Sequence, residues 1–408
     1  MLTVAKFGGS SLASAGGFAA VKEILESSTA RKGVVVSAPG RRFPGDTKVT
    51  DLLYLCHRLF TSGGDWETVF ETIKERFAVI AAGCGVDIAG ELDDLYAEVA
   101  QGVTEEYLVS RGEYFSARIM AQYLGRKFID SASWLRFGKN GRVDTVQSYG
   151  ALWRLADGPF VTPGFYGLAS DGEIRTFTRG GSDITGALAA AAMDADLYEN
   201  WTDVPGILQA DPRLIPEAKP VRYMTYEELS DLSKVGTQVL HEGAVKPVRD
   251  AGIPMCIRST WQPEDMGTLI SPHLPQGILR PTILSLASRR ERALVSGTGK
   301  CSWQDGDFVL TMLGRQTASV PSASLEAVLE ENHAGQVTAR DGLALLAVVF
   351  AREQAHGVGA AELLGALKKE NIAVEAILRP FGGHTLFLAV ADHAHDRALR
   401  ALHIAAQA

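Results

Sequence analysis

Cysteine is scarce and scattered: Cys56, Cys84, Cys256 and Cys301 are the only four in 408 residues, and no two form a C-x-x-C. That spacing argues against a disulfide framework or a zinc site and leaves small core or surface residues. No apolar run reaches the roughly 18–20 residues of a membrane span. Neither sign of charge dominates, since 40 Lys+Arg against 48 Asp+Glu give a net −8. No general field for nucleic acid is therefore expected, and a bound nucleotide needs a local site. The chain opens directly into a strand-like segment, Leu2 to Phe7, without a charged leader. A cytoplasmic enzyme with no membrane or nucleic-acid partner is the expectation. Also absent are G-x-x-x-x-G-K-[ST] and G-x-G-x-x-G, the phosphate loops of the Walker and dinucleotide folds.

What is present is an ordinary globular composition, 46% hydrophobic and 22% charged, of a length for two or three domains. Over the first ~285 residues, short β-branched runs alternate with helical patterns, which predicts a parallel sheet covered by helices. Thr3–Phe7 and Gly33–Ser37 are two such runs, and Phe18, Val21, Ile24 and Leu25 between them follow a helical period. A long helical stretch covers about residues 64–125, interrupted near Gly83–Gly90. Residues 159–179 read as a strand, a Gly-bounded loop and a hairpin turning at Asp171-Gly172. Ile184–Met193 is nearly all Ala and Leu, a strong helix former, and Leu197–Trp201 resumes as a strand.

Pro272, Pro275 and Pro281 mark a domain boundary. Beyond them Leu343–Phe350 reads as a buried strand. Ala360, Leu363, Leu364 and Leu367 read as an amphipathic helix, Ile372–Leu378 and Thr385–Val390 as strands, and Asp396–Ile404 as a last helix. The tail is a βαββα unit.

Two glycine loops carry the chemistry. Lys6-Phe-Gly-Gly-Ser-Ser11 places a lysine at the carboxyl end of the first strand, followed by two glycines. Adjacent glycines let backbone N–H groups approach phosphate oxygens, and a lysine supplies a point charge to a transferring phosphoryl group. Thr178-Arg-Gly-Gly-Ser-Asp183 stands immediately before the alanine-rich helix, bringing a guanidinium, a hydroxyl and a carboxylate to one helix start. Each loop alone also fits a plain strand turn or a capped helix. Together they supply what a nucleotide-dependent kinase needs to hold phosphates and to span donor and acceptor.

The runs KFGGSS (6–11), SAPG (37–40), KVTDLL (48–53), RGE (111–113), FTRGGSD (177–183), WTDVPGI (201–207), ADPR (210–213) and VLHEGAVKPV (239–248) occur in one order along residues 3–275. This set resembles the aspartate kinases, within the amino-acid kinase family, whose members carry a pair of C-terminal ACT domains. The resemblance implies an α/β fold: an αβα sandwich with a mostly parallel sheet over residues 1–280, then an α+β, ferredoxin-like ACT-type region. In that region 281–342 would be a truncated first ACT unit and 343–408 the second.

It implies ATP-dependent phosphorylation of the L-aspartate β-carboxylate with Mg2+, the entry to lysine, threonine and methionine, in a homodimer joined through ACT units. Lys6 and Asp183 would be catalytic. Gly8, Gly9, Ser10, Gly180 and Gly181 would cradle phosphates, while Thr202, Asp203 and Arg213 would contact the nucleotide. Arg179 would bind the substrate α-carboxylate, Glu113 its ammonium, and Ser37, Thr50 and Ser182 would hydrogen-bond aspartate.

A carboxylate nucleophile is already ionised at neutral pH, its ordinary pKa being about 3.9, so no general base is required. That fits the lack of histidine or cysteine in both glycine loops. His241 is expected to be structural.

Residues 41–49 form an insert, read as a longer lid, where many members have a short loop. Gln238 stands in place of a nucleotide-contacting lysine, with Lys246 a candidate substitute, and Leu208 in place of an adenine-side tyrosine. In the truncated first ACT unit, Thr282–Ser288, Asp307–Leu313 and Ser324–Glu331 remain as strands and a helix. The part between is reduced to Gly297–Gln304, so an enzyme unregulated or differently regulated by lysine or threonine is expected. Two alternatives share the motifs: a kinase of another small amino acid or carboxylate, and a non-catalytic ligand-binding subunit.

Overall fold

In the computed structural model, which describes residues 1–178, 180–234, 240, 242–298, 308–312, 315–332, 337–351, 358–379 and 384–407, the alternation read from the sequence closes into a layered sheet. β1 (Thr3–Phe7) is buried throughout. α1 (Ala15–Glu26) starts where the Ser14 side chain accepts from the Gly17 N–H, and it buries Phe18, Val21, Ile24 and Leu25. β2 (Arg31–Val36) then pairs in parallel with β1.

The long helical stretch is three helices, α2 (Val49–Ser62) preceding them: α3 (Trp66–Gly83), α4 (Ala89–Gln101) and α5 (Glu105–Leu124). A second break, beyond the one expected at Gly83–Gly90, falls at Gly102. That residue takes φ +96°, and Thr104 then caps α5. β3 (Lys127–Phe128), α6 (Ser131–Trp134), α7 (Thr145–Leu155) and β4 (Phe160–Pro163) follow. β5 (Tyr166–Leu168) and β6 (Ile174–Thr176) form the hairpin expected around Asp171-Gly172. The alanine-rich α8 (Gly181–Ala192) leads into β7 (Leu197–Thr202).

β8 (Tyr223–Thr225) and α9 (Tyr226–Lys234) lie in an excursion of the chain. α10 (Glu242–Asp250), β9 (Met255–Ser259) and β10 (Thr268–Ser271) complete this unit's run of the sheet, in the order β3-β4-β2-β1-β7-β9-β10. Every neighbouring pair is parallel except β9 with β10.

The C-terminal part has β11 (Ile283–Thr298), β12 (Phe308–Met312), β13 (Arg315–Pro321), α11 (Leu325–Glu331), β14 (Val337–Phe350), α12 (Ala360–Lys369), β15 (Val374–Leu378), β16 (Thr385–Ala391) and α13 (His395–Gln407). These strands form one antiparallel sheet in the order β12-β13-β11-β14-β16-β15.

The chain divides elsewhere than at 280 and 342. One unit holds residues 1–206 with 240–272, and the other 207–239 with 273–408. Nor do 281–342 and 343–408 separate cleanly, because β11 and β14 pair along nearly their whole lengths. Ile283 stands opposite Phe350 and Gly297 opposite Val337. The first half of β11 thus serves the C-terminal core, in which Leu286 packs with Leu346, Leu363, Leu388 and Leu399. Its second half serves a small separate core of Ala293, Val295, Ala318, Val320 and Val328. The interval Gly297–Gln304 falls largely outside the described residues.

Candidate active site

Parallel α/β sheets gather ligands at the carboxyl ends of their strands, and the expected loops converge there. Lys6 is the penultimate residue of β1, Ser37 follows β2, Gly164 follows β4, and Thr202 ends β7. The Gly8 N–H donates to the Trp201 carbonyl at 3.0 Å, and the Ser37 N–H to the Phe7 carbonyl at 3.2 Å, so three strand ends are tied together. Gly9 and Ser10 begin a short 3-10 turn that no side chain caps. A β-carbon on Gly9 would lie 2.8 Å from the Ala38 carbonyl oxygen, which is why glycine stands there.

Lys6 is buried, and its Nζ lies 2.5 Å from Asp183 Oδ1 in the first turn of α8. Such a pair survives burial only with good geometry and further hydrogen bonds. Asn200 of β7 supplies these: its Nδ2 donates to Asp183 Oδ1 at 3.1 Å, and its Oδ1 accepts from Lys6 Nζ at 3.4 Å. α8 begins without a side-chain cap, its N-cap Gly180 at φ +60°. By contrast Ser14, Asp65, Thr104 and Asp144 each cap their own helices. The backbone N–H groups at Gly181 and Ser182 therefore stand beside Lys6 and Asp183 as donors for anionic oxygen. Ser182 packs so closely on Gly164 that a β-carbon at 164 would meet its Oγ at 2.6 Å.

Glu113 lies midway along α5 and is buried, accepting the backbone N–H of Ala38. Its Oε2 is buried with no hydrogen-bond partner among the described residues. Burial pushes this carboxyl up to about 8. Gly112 lets Ala38 approach, since a β-carbon at 112 would lie 2.8 Å from the Ala38 Cβ. The segment after β2 thus touches the phosphate loop through Gly9 and the acidic site through Glu113. Thr50 sits one residue into α2, beside buried Val49.

The insert 41–49 is held down. Arg76 of α3 donates from Nη2 to the Gly40 carbonyl and from Nη1 to the Thr47 carbonyl, both at 2.6 Å, with Asp46 Oδ2 3.3 Å from Nη1. Hydrogen bonds from Arg42 hold the Asp46 carboxyl well below the usual carboxylate range.

Thr202 donates to Asp203 Oδ1 at 3.1 Å, and Asp203 is exposed at the end of β7. Arg213 belongs to the other unit, where it is exposed and paired with Asp211 at 2.6 Å. Lys246 points along the exposed face of α10 to Asp250. Leu208 also belongs to the other unit, where its carbonyl accepts from Ser285. Arg179, Gln238, His241 and Cys301 lie outside the described residues. Asn200 and Arg76 were not anticipated. The signal for Asn200 was a Glu-Asn pair inside an otherwise buried strand, whereas a lone arginine on a helix gave none for Arg76.

The profile of the amino acid kinase family matches residues 1–259, and the chain belongs to that family. Its relatives place it among the aspartokinases. Aspartokinase 3 of Bacillus subtilis is 32% identical over 98% of each chain. The crystal structure of Clostridium acetobutylicum aspartate kinase superposes with a TM-score of 0.85 at 32% identity, covering 99% of both chains. The Escherichia coli aspartokinase III complex with aspartate and ADP, at 24% identity and a TM-score of 0.76 over 99% of both chains, shares the fold.

Proposed function

We infer that this chain transfers the γ-phosphoryl group of ATP to the β-carboxylate of L-aspartate, giving β-aspartyl phosphate and ADP. The observation that carries the choice of substrate is Glu113, whose buried, unpartnered carboxylate oxygen matches a free α-ammonium group. An N-acylated substrate has no such cation. The Arg179 guanidinium takes the α-carboxylate in this reading, as its place in the motif implies, and Ser37, Thr50 and Ser182 complete the aspartate contacts.

The substrate β-carboxylate oxygen attacks the γ-phosphorus as the bond to the β–γ bridging oxygen breaks, and ADP leaves with that electron pair. No proton moves, so positioning and charge placement supply the catalysis. Lys6 spans the entering carboxylate and the phosphoryl oxygens, and Asp183 orients it. The backbone of Gly8, Gly9, Ser10, Gly180 and Gly181 receives phosphate oxygens. Among the described residues no group of three His, Cys, Asp or Glu side chains gathers to hold a metal. Mg2+ is therefore assigned to the nucleotide, with Asp183 as the nearby carboxylate. Thr202, Asp203 and Arg213 are assigned to the nucleotide by motif.

A homodimer through the C-terminal sheet is the matching assembly, with β12 and β15 as its two edge strands. The free cysteines Cys56, Cys84 and Cys256 fit a reducing, cytoplasmic setting.

ADP release measured with aspartate, glutamate and N-acetylglutamate tests the substrate. Aspartate is expected to give kcat/KM at least about a hundredfold above the others. A preference for either competitor would contradict the assignment, and silence with all three despite nucleotide binding would leave a ligand-binding subunit.

A further inference from the structure

β7 carries a buried amide directly opposite Lys6. In the parallel register of β1 and β7, Lys6 pairs with Asn200, and Asn200 is 3% exposed. An ammonium only donates and a carboxylate only accepts, so the amide has one orientation that satisfies both, with its carbonyl on Lys6 and its NH2 on Asp183. Asp183 Oδ1 then receives two donors, Lys6 Nζ and Asn200 Nδ2.

We propose that Asn200 is a positioning residue for phosphoryl transfer, holding Asp183 in place while Lys6 follows the moving charge. The proposal rests on the reading of Lys6 and Asp183 as catalytic. When phosphoryl oxygens draw the Lys6 ammonium, Asp183 loses the donor it holds in the free enzyme. Asp183 is only partly exposed, at 23% of its side chain, so losing a donor there costs stability. Asn200 keeps one donor on the same oxygen, and the Tyr198 hydroxyl, donating to the Asp183 backbone carbonyl at 3.1 Å, fixes the turn that carries it. The contribution is largest when Lys6 is most displaced, so it falls on kcat rather than on substrate affinity.

Among the described residues, the charged groups bonded to the Asn200 side chain are Lys6 from β1 and Asp183 from α8. Its register neighbour on β9 is Ile257. Glu199, held by Arg31 and Arg258, alternates to the opposite face of the sheet.

The test uses the full chain with Asn200→Leu, which removes both hydrogen bonds, and Asn200→Asp, which keeps the shape if the leucine variant fails to fold. Lys6→Ala is assayed beside them. Asn200→Leu is expected to lower kcat about tenfold or more, with both KM values within about threefold. In Asn200→Asp at pH 8 the new carboxylate faces Asp183 as a like charge. Once protonated, its O–H replaces the amide donor, so kcat relative to the native chain at the same pH should recover about tenfold toward pH 6. Both variants staying within about twofold of native kcat at every pH, with Lys6→Ala inactive, would overturn the role of Asn200 alone. Full activity in Lys6→Ala would overturn the reading of the site and the proposal with it.

Discussion

Glu113 is asked to do two opposed things: to stay buried with one oxygen unpartnered among the described residues, and to be an anion when an ammonium arrives. Its carboxyl, pushed up to about 8 by burial, is largely protonated at neutral pH until substrate binds. The free-enzyme profile of kcat/KM for aspartate should therefore rise from about pH 6.5 to 8.5, and a flat profile would contradict the assignment. Glu113→Gln should raise KM for aspartate at least about tenfold with a smaller change in kcat, read from initial rates.

Stability runs the opposite way with pH. The folded chain binds this proton more tightly than the unfolded chain, so its contribution is complete below the ordinary carboxyl pKa and is lost as pH rises through about 8. Glu113→Gln should then gain stability relative to the native chain between pH 6 and pH 9 in denaturant titrations. At this scale Lys6 and Asp183 were legible because motif spacing places them at a strand end and a helix start. The partner-less oxygen of Glu113 was not, since sequence carries no record of what a side chain fails to touch.

At the scale of elements, the insert 41–49 was expected as a lid and is found clasped. Arg76 anchors both of its ends through the carbonyls of Gly40 and Thr47, and the Gly40 N–H donates in turn to the Gly9 carbonyl at 2.8 Å. The clasp therefore extends from α3 to the phosphate loop. Arg76→Met keeps much of the volume but frees the loop. Trypsin should then cut at exposed Arg41 or Arg42 several-fold faster than in the native chain. KM for aspartate should rise as well, and unchanged proteolysis would show the loop held by other contacts.

Periodicity foretold α1 and the terminal βαββα, whose helices bury one regular face, and Ala/Leu helix propensity foretold α8, which is buried nearly all round. Residues 203–271 were left without elements, and they hold β8, α9, α10, β9 and β10. These are short, and their polar-rich helices and three- to five-residue strands are stabilised by neighbours rather than by local pattern.

Across the whole molecule, the sequence reads as three consecutive segments, 1–280, 281–342 and 343–408, whereas the fold groups residues 1–206 with 240–272 and 207–239 with 273–408. Residues 207–239 join the C-terminal unit, and β11 is shared lengthwise between two cores. Such long-range pairing leaves no local signature, which is why boundaries at 280 and 342 looked natural. Among the described residues the smaller core holds five buried hydrophobic residues, and the sequence reads the first ACT unit as truncated. Lysine or threonine at about 1 mM is accordingly expected to change the rate by less than about twofold. Strong inhibition by either would show a working effector site.

The central claim is that Lys6 and its partners phosphorylate aspartate. The most direct measurement traps the acyl phosphate with hydroxylamine in Mg-ATP and L-aspartate, using the native chain beside Lys6→Ala. The account predicts aspartyl hydroxamate from the native chain and at least about a hundredfold less from the variant. Equal hydroxamate from both, or none from the native chain, would contradict it.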